Sequence, residues 1–254
     1  MRSSDKPRHI ATPRHGVARV LSKSGLCSRT QAAAWIRAGR VEVNGRTVLD
    51  PEFPVRQGQD HLAVDGRALE ASERVYVAIN KPRGLVTTAS DERGRDTVYA
   101  CLEGAGLPWL APVGRLDQAS EGLLLMSNDP AWAAAITDPS TGPGKTYHVQ
   151  VDAIPDDRVL AALREGIEEP EGRLRAKAAA LLRTGTRNGW LEIVLDEGRN
   201  RQIRRLLAAQ GLGVLRLVRV AIGPLQLGGL GKGQWRRLAP GEVSLLAPPT
   251  PCAP

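Results

Sequence analysis

The chain has 254 residues, enough for two domains or for one large domain with an appendage. Its formal charge is +8 and its pI about 9.9, with arginine strongly favoured over lysine. That balance suits a polyanionic partner, because guanidinium grips phosphate in a two-pronged fork, or reflects a high-GC genome that codes arginine generously, and composition alone does not separate the two. Three cysteines and four histidines, all far apart, exclude a disulfide framework and a metal site, and no apolar run approaches the ~18 residues a membrane span needs.

Residues 1–16 hold Arg2, Lys6, Arg8, His9 and Arg14 and almost nothing to bury, so they read as a disordered basic arm. The arm lacks the apolar core of a secretory signal, and a reducing, cytoplasmic setting is expected. Val17, Val20 and Leu21 then form a short helical stripe that stops at Gly25. Ser28 opens a second helix, with Gln31 three residues on in the capping-box arrangement and an apolar stripe over residues 32–36. Gly39 ends it, residues 41–43 alternate as a strand, and Asn44-Gly45 is a strong hairpin turn signal. Arg29, Arg37 and Arg40 cluster around the second helix. They read either as a solvated charged face or as cations presented to RNA.

A new pattern begins after a boundary near Ser72. Strands are expected at 75–79, 122–127, 145–151, 176–182, 190–195 and 214–222, and helices at 130–136, 156–165 and 200–210. Strands alternating with a few helices over short connections indicate an α+β fold with a mixed, mainly antiparallel sheet. Residues 241–254 are set apart as a proline-rich tail, of which 247–254, with four prolines in eight residues, read as unstructured.

Within this second region, PVGRLDQASEG (residues 112–122) places Asp117 two residues after Arg115 and just before the apolar run 123–126. A carboxylate at the entrance to a core is costly unless paired. Spacing alone leaves a structural Asp–Arg pair and a functional acid both open. In EGRNRQIRR (197–205), Ile203, Leu206 and Leu207 share one helical stripe; Arg201 and Arg205 fall opposite, and Arg204 lies at the margin, able to reach into a cleft. Tyr147 points with Val149 and Val151 toward the apolar side of its strand, as a core tyrosine or as a ring that stacks on a base. The run GPGKT (142–146) imitates a P-loop but precedes a strand and lacks the first glycine, so a nucleotide-dependent enzyme is rejected.

Residues 22–45, SKSGLCSRTQAAAWIRAGRVEVNG, resemble the S4 RNA-binding domain, whose SR, short helix and I-x-x-G-x-V-x-VNG are all met. The resemblance implies two helices and a small sheet over 17–72, with an RNA surface at Ser28, Arg29, Arg37, Arg40 and Asn44. NKPRG (80–84), GRLDQASEGLLLMSND (114–129), GKTYHVQV (144–151), EGRNRQIRRLL (197–207) and LRLVRVAIG (215–223) follow in order. Together they resemble the ribosomal RNA pseudouridine synthases of the group that includes RsuA, RluB, RluE and RluF, and imply a catalytic domain over 73–240.

The resemblance implies the reaction: a uridine of ribosomal RNA is detached at its glycosidic bond, turned and rejoined through C5, with no metal and no organic cofactor. The family's essential aspartate falls on Asp117, its active-site tyrosine on Tyr147 and its aspartate-pairing arginine on Arg204. Lys81 and Arg115 would steer the RNA backbone around a flipped uridine, and Arg199, Arg201 and Arg205 would lie on RNA. Whether Asp117 is nucleophile or base stays open. Ser120 replaces a frequent threonine and Asp138 a frequent histidine, and RluE-like core motifs are joined to an S4 module, so the subunit and the target uridine are not assigned. A monomer is expected. The alternative is a non-catalytic RNA-binding protein on the same fold, which would gain nothing from a carboxylate aimed at phosphates.

Overall fold

A computed structural model describes residues 14–247, except 57, 70–72, 90 and 171. The chain divides into two compact units, residues up to Glu73 and residues from Arg74 onward.

The first unit contains β1 (Arg14–Gly16), α1 (Val17–Lys23), α2 (Arg29–Arg37), β2 (Val41–Val43), β3 (Arg46–Thr47), β4 (Pro54–Arg56), β5 (Leu62–Val64) and β6 (Arg67–Ala68). Helix α2 starts as the sequence predicts: Ser28 Oγ accepts from Gln31 N and Gln31 Oε1 accepts from Ser28 N. Asn44 (φ 51°) and Gly45 (φ 75°) both take the left-handed conformation that a two-residue hairpin needs between β2 and β3. Buried Val17, Leu21, Ala32, Ile36 and Val41 join the two helices to the sheet. The expected disordered arm is corrected at its end, because residues 14–16 pair antiparallel with β4. Residues 1–13 of that expectation lie outside the described residues.

The second unit contains β7 (Tyr76–Lys81), β8 (Ala111–Val113), β9 (Glu121–Ser127), α3 (Pro130–Thr137), β10 (Lys145–Val151), α4 (Asp157–Glu165), β11 (Ala178–Thr184), β12 (Gly189–Leu195), α5 (Gln202–Ala208), β13 (Val214–Ile222), β14 (Leu225–Gln226), β15 (Trp235–Arg237) and α6 (Pro240–Leu246). Its sheet runs β11-β12-β10-β13-β9-β7-β15, with β8 beside β9 and β14 beside β13. All these pairings are antiparallel except β13 with β9, so the sheet is mixed and mainly antiparallel, as read from the sequence. Alternation along β9 seals two cores. Leu124 and Met126 meet Val149, Ile193, Leu163 and Ile203 on one side, whereas Leu123 and Leu125 meet Trp132, Ile136, Val243 and Leu246 on the other.

Two of the expected boundaries are corrected. The tail assigned to 241–254 begins with helix α6: Pro240 stands in its first turn, Val243 and Leu246 are buried, and Val243 O accepts from Trp132 Nε1 at 3.2 Å. Residues 248–254 lie outside the described residues. The helix expected from residue 200 begins at Gln202, because Arg201 has φ 51° and cannot continue a right-handed turn.

Candidate active site

Where the turn between β8 and β9, β10, β13 and the start of α5 converge, they enclose a cleft of about 480 Å³, within the ~300–1,000 Å³ typical of ligand sites. Among the described residues, Arg115, Lys145, Arg199, Arg201, Arg204 and Arg219 line it, against the single carboxylate of Asp117. A wall with that charge selects an anionic ligand.

Asp117 stands in the turn between β8 and β9, and the backbone of that turn is tied at each carbonyl from Leu116 to Ser120. Leu116 O accepts from Thr87 Oγ1 (2.7 Å), Asp117 O from Ser120 N (3.0 Å) and Lys81 Nζ (3.2 Å), and Gln118 O from Gly84 N (2.8 Å). Ala119 O accepts from Arg204 Nη2 (3.3 Å) and Ser120 O from Lys81 Nζ (2.9 Å). The chain is thereby fixed while the carboxylate, 36 % exposed, remains on the cleft wall. Held groups of this kind meet a reacting atom with little reorganisation.

The Lys81 expectation is corrected. Its side chain has no exposed surface and donates to the carbonyls of Pro82, Asp117 and Ser120, so it holds the turn and cannot reach a phosphate. Burial pushes its ammonium pKa down to about 8; the charges of Asp117 and Glu121 act the other way.

Arg204 is also placed differently from its expected role as the partner of Asp117. Among the described residues the cation within 4 Å of the carboxylate is Arg201, whose Nη1 lies 3.9 Å from Asp117 Oδ2. Arg204 grips the turn two residues on, at Ala119 O, and its Nε is buried without a hydrogen-bond partner among the described residues. Burial, reinforced by the neighbouring charge of Arg201, lowers its pKa, and Asp117 opposes the fall. Asn44 and Asp65, the other non-glycine residues with positive φ among those described, belong to types that tolerate the left-handed region. Arginine does not, and the conformation aims its guanidinium at the carboxylate.

Tyr147 is 9 % exposed, packs in the core of the second unit and lines the cleft from β10. Arg115 is exposed at the rim. Arg199 and Arg205 lie nearby but are engaged within the protein: Arg199 Nε is 3.0 Å from Glu197 Oε2 and its Nη1 donates to Gly172 O, and Arg205 pairs with Glu169. Gln202, buried, accepts from Arg199 N and donates to Glu197 and Arg175 O, which orders this turn. Sequence reasoning passed over Lys145, Gln202 and Arg219. The last is one of two arginines in an otherwise apolar strand, and its spacing gave no signal.

In the first unit, Arg29 pairs with Glu52 (2.9 Å), and Arg40 pairs with Asp65 (2.6 Å) and lies over the Trp35 ring. Asn44 bonds to Asp60 and to His61 N, and Ser28 caps α2, whereas Arg37 is exposed and has no carboxylate within 4 Å among the described residues. Among the described residues no three His, Cys, Asp or Glu side chains converge as a metal site, and no helix is long and apolar enough to cross a membrane.

Residues 75–209 match the family described as RNA pseudouridylate synthase, and residues 17–62 match the S4 domain. A Bacillus subtilis protein named ribosomal large subunit pseudouridine synthase B is 36% identical over 231 residues, covering 90% of this chain and 93% of the relative. An uncharacterized RNA pseudouridine synthase of Aquifex aeolicus is 36% identical over 230 residues, covering 90% and 92%. A crystal structure described as pseudouridylate synthase superimposes with a TM-score of 0.64 at 30% identity, over 92% of this chain and all of that one.

Proposed function

The chain belongs to the RNA pseudouridylate synthase family, with an N-terminal S4 domain, and from that premise we propose that it isomerises a uridine of ribosomal RNA with Asp117 as the reacting carboxylate. Ribosomal RNA is favoured by the name of the Bacillus subtilis relative, which spans nearly the whole chain. The observation that carries the site is the carboxylate of Asp117, the only acid among the described residues lining a cleft that holds six cations, on a turn whose carbonyls from Leu116 to Ser120 are engaged.

In this reading the RNA phosphates enter against the cations, and the target nucleoside is everted into the cleft at a cost of a few kcal/mol of unstacking. Asp117 attacks the ribose or takes a proton from it as the N1–C1′ bond breaks. The detached base turns, and C5 bonds to C1′ as the ester to Asp117 breaks or, where Asp117 acted as base, as it returns the proton to the ribose; the C5 proton then leaves as N1 gains one, so the product is an isomer of the substrate. Tyr147 stacks on the base and lies beside the proton to be removed. Arg201 and Arg204 orient the carboxylate, one from the solvent side and one through its turn. Arg115, with Arg37 of the first unit, contacts backbone phosphates.

The test is a tritium-release or mass-based assay on ribosomal RNA, followed by mapping of pseudouridines in RNA from cells lacking the gene. Wild type converts one uridine and Asp117→Asn none. Wild type that binds the RNA and leaves it unmodified would establish the binding-only alternative, and conversion by Asp117→Asn would remove the carboxylate from the mechanism.

A further inference from the structure

We infer that Arg219 and Lys145 form a subsite for an RNA phosphodiester adjoining the nucleotide in the cleft, an inference that rests on the proposed role of that cleft. Strand register brings the pair together. Lys145 and Tyr147, two apart on β10, share the cleft face, and Arg219 stands opposite Tyr147 on β13. Beyond it the register shifts: Thr146 pairs with Ala221, leaving Val220 as a bulge. Bulges beside active sites re-aim side chains.

The donors at this wall exceed the acceptors. Arg219 is 5 % exposed, and its Nε donates to Leu123 O at 2.7 Å. Neither of its terminal nitrogens has a hydrogen-bond partner among the described residues, and Nη2 is fully buried. No carboxylate lies within 4 Å of Arg219 or Lys145 among those residues. The acid whose charge reaches Lys145, Asp196, is bonded to Lys177 at 3.0 Å, and Glu121, on the neighbouring strand, is committed to Arg216 and Lys232. Burial lowers the Lys145 pKa, and the charge of Arg219 lowers it further.

An unfilled guanidinium fork in a buried wall is costly, and a second cation beside it adds repulsion. Tying β9 to β13 through Leu123 O would require only Nε, and accounts for neither the free fork nor the lysine. A phosphate fills the fork and offsets both charges; a uracil carbonyl fills one donor and offsets neither.

The experiment uses RNA fragments around the mapped uridine, each carrying one neutral methylphosphonate linkage on either side of it. Binding is measured with wild type, Lys145→Met and Arg219→Lys. At one linkage, neutralisation weakens wild type about tenfold, and this penalty shrinks to under about threefold in the variants, the coupling of groups in contact. Equal penalties in all three proteins at both linkages overturn the subsite. So does coupling that follows 4-thiouridine in place of the target uridine, since the pair would then read the base. Lys145 is half-buried at a strand start, so Lys145→Met keeps the test decisive if Arg219→Lys fails to fold. The readout is binding, so it stands apart from the Asp117→Asn assay: conversion by that variant would remove the carboxylate's role and leave the phosphate coupling intact.

Discussion

Lys81 shows how much a single residue's role depends on what surrounds it. Its ammonium has three N–H groups for three carbonyls, those of Pro82, Asp117 and Ser120. The neutral amine has two, so deprotonation near pH 8 releases one carbonyl of the turn that carries Asp117. The single-turnover rate is therefore expected to fall on the alkaline side with an apparent pKa near 8, and Lys81→Met should show a lower rate without that limb. Stability moves the opposite way. The folded pKa lies below the ordinary 10.5, so unfolding takes up a proton between about 8 and 10.5, and wild type gains stability relative to Lys81→Met as pH rises through that window. A stability difference flat from pH 7 to 10, measured by denaturant titration, would contradict a buried ammonium. Sequence could supply the lysine's charge and its place after a strand, but not the carbonyls it would meet. It was therefore read as a phosphate ligand. Arg219 was missed for the converse reason: a lone arginine between Val218 and Val220 carries no periodicity to mark it.

At the scale of elements, strands with strict alternation were legible almost to the residue. Lys145–Val151 buries Tyr147, Val149 and Val151 and leaves the intervening side chains half-exposed, a pattern that admits one register. Helix α6 was not legible, because Pro240-Gly241 reads as a breaker unless the proline occupies the first helical turn, where its missing N–H is no loss. Strand β15 escaped because Trp235-Arg236-Arg237 has no apolar alternation; its position is fixed by pairing with β7. The parallel step from β9 to β13 depends on Gly122. Its φ is +104°, and a Cβ there would lie 2.3 Å from Arg219 O and 2.8 Å from Arg219 N, both backbone atoms that cannot swing aside. Gly122→Ala is thus expected to cost on the order of 3 kcal/mol or more, from strain at positive φ added to overpacking, and to separate β13 from the turn bearing Asp117. Thermal melts should show loss or a marked lowering of the transition of the second unit. A melt within about 2 °C of wild type would mean that the sheet absorbs the methyl group, against the size of shift expected for ~1 kcal/mol in a domain of this length.

Across the whole molecule, the arginines fall into two sets, which composition could not separate. Some guanidiniums are consumed internally: Arg40 by Asp65 and the Trp35 ring, Arg205 by Glu169, Arg216 by Glu121 and Arg236 by Glu242. Others, Arg37 among them, are exposed without a carboxylate within 4 Å among the described residues. Only the second kind can exchange counterions for phosphate when RNA binds, and the two kinds are expected to respond differently to neutralisation. Arg37→Gln should lower RNA affinity and reduce the slope of log K against log salt by about 0.7–0.9, the contribution of one phosphate contact, with the melting temperature unchanged. Arg40→Gln should instead lower the melting temperature of the first unit, because it strips Asp65 of its partner and uncovers Trp35, while changing the salt slope less than Arg37→Gln does. Binding isotherms at several salt concentrations with both full-length variants decide the matter. Equal changes of slope would show that Asp65 yields Arg40 to RNA, and that ion pairs seen in the free protein do not mark a cation as withdrawn from the interface.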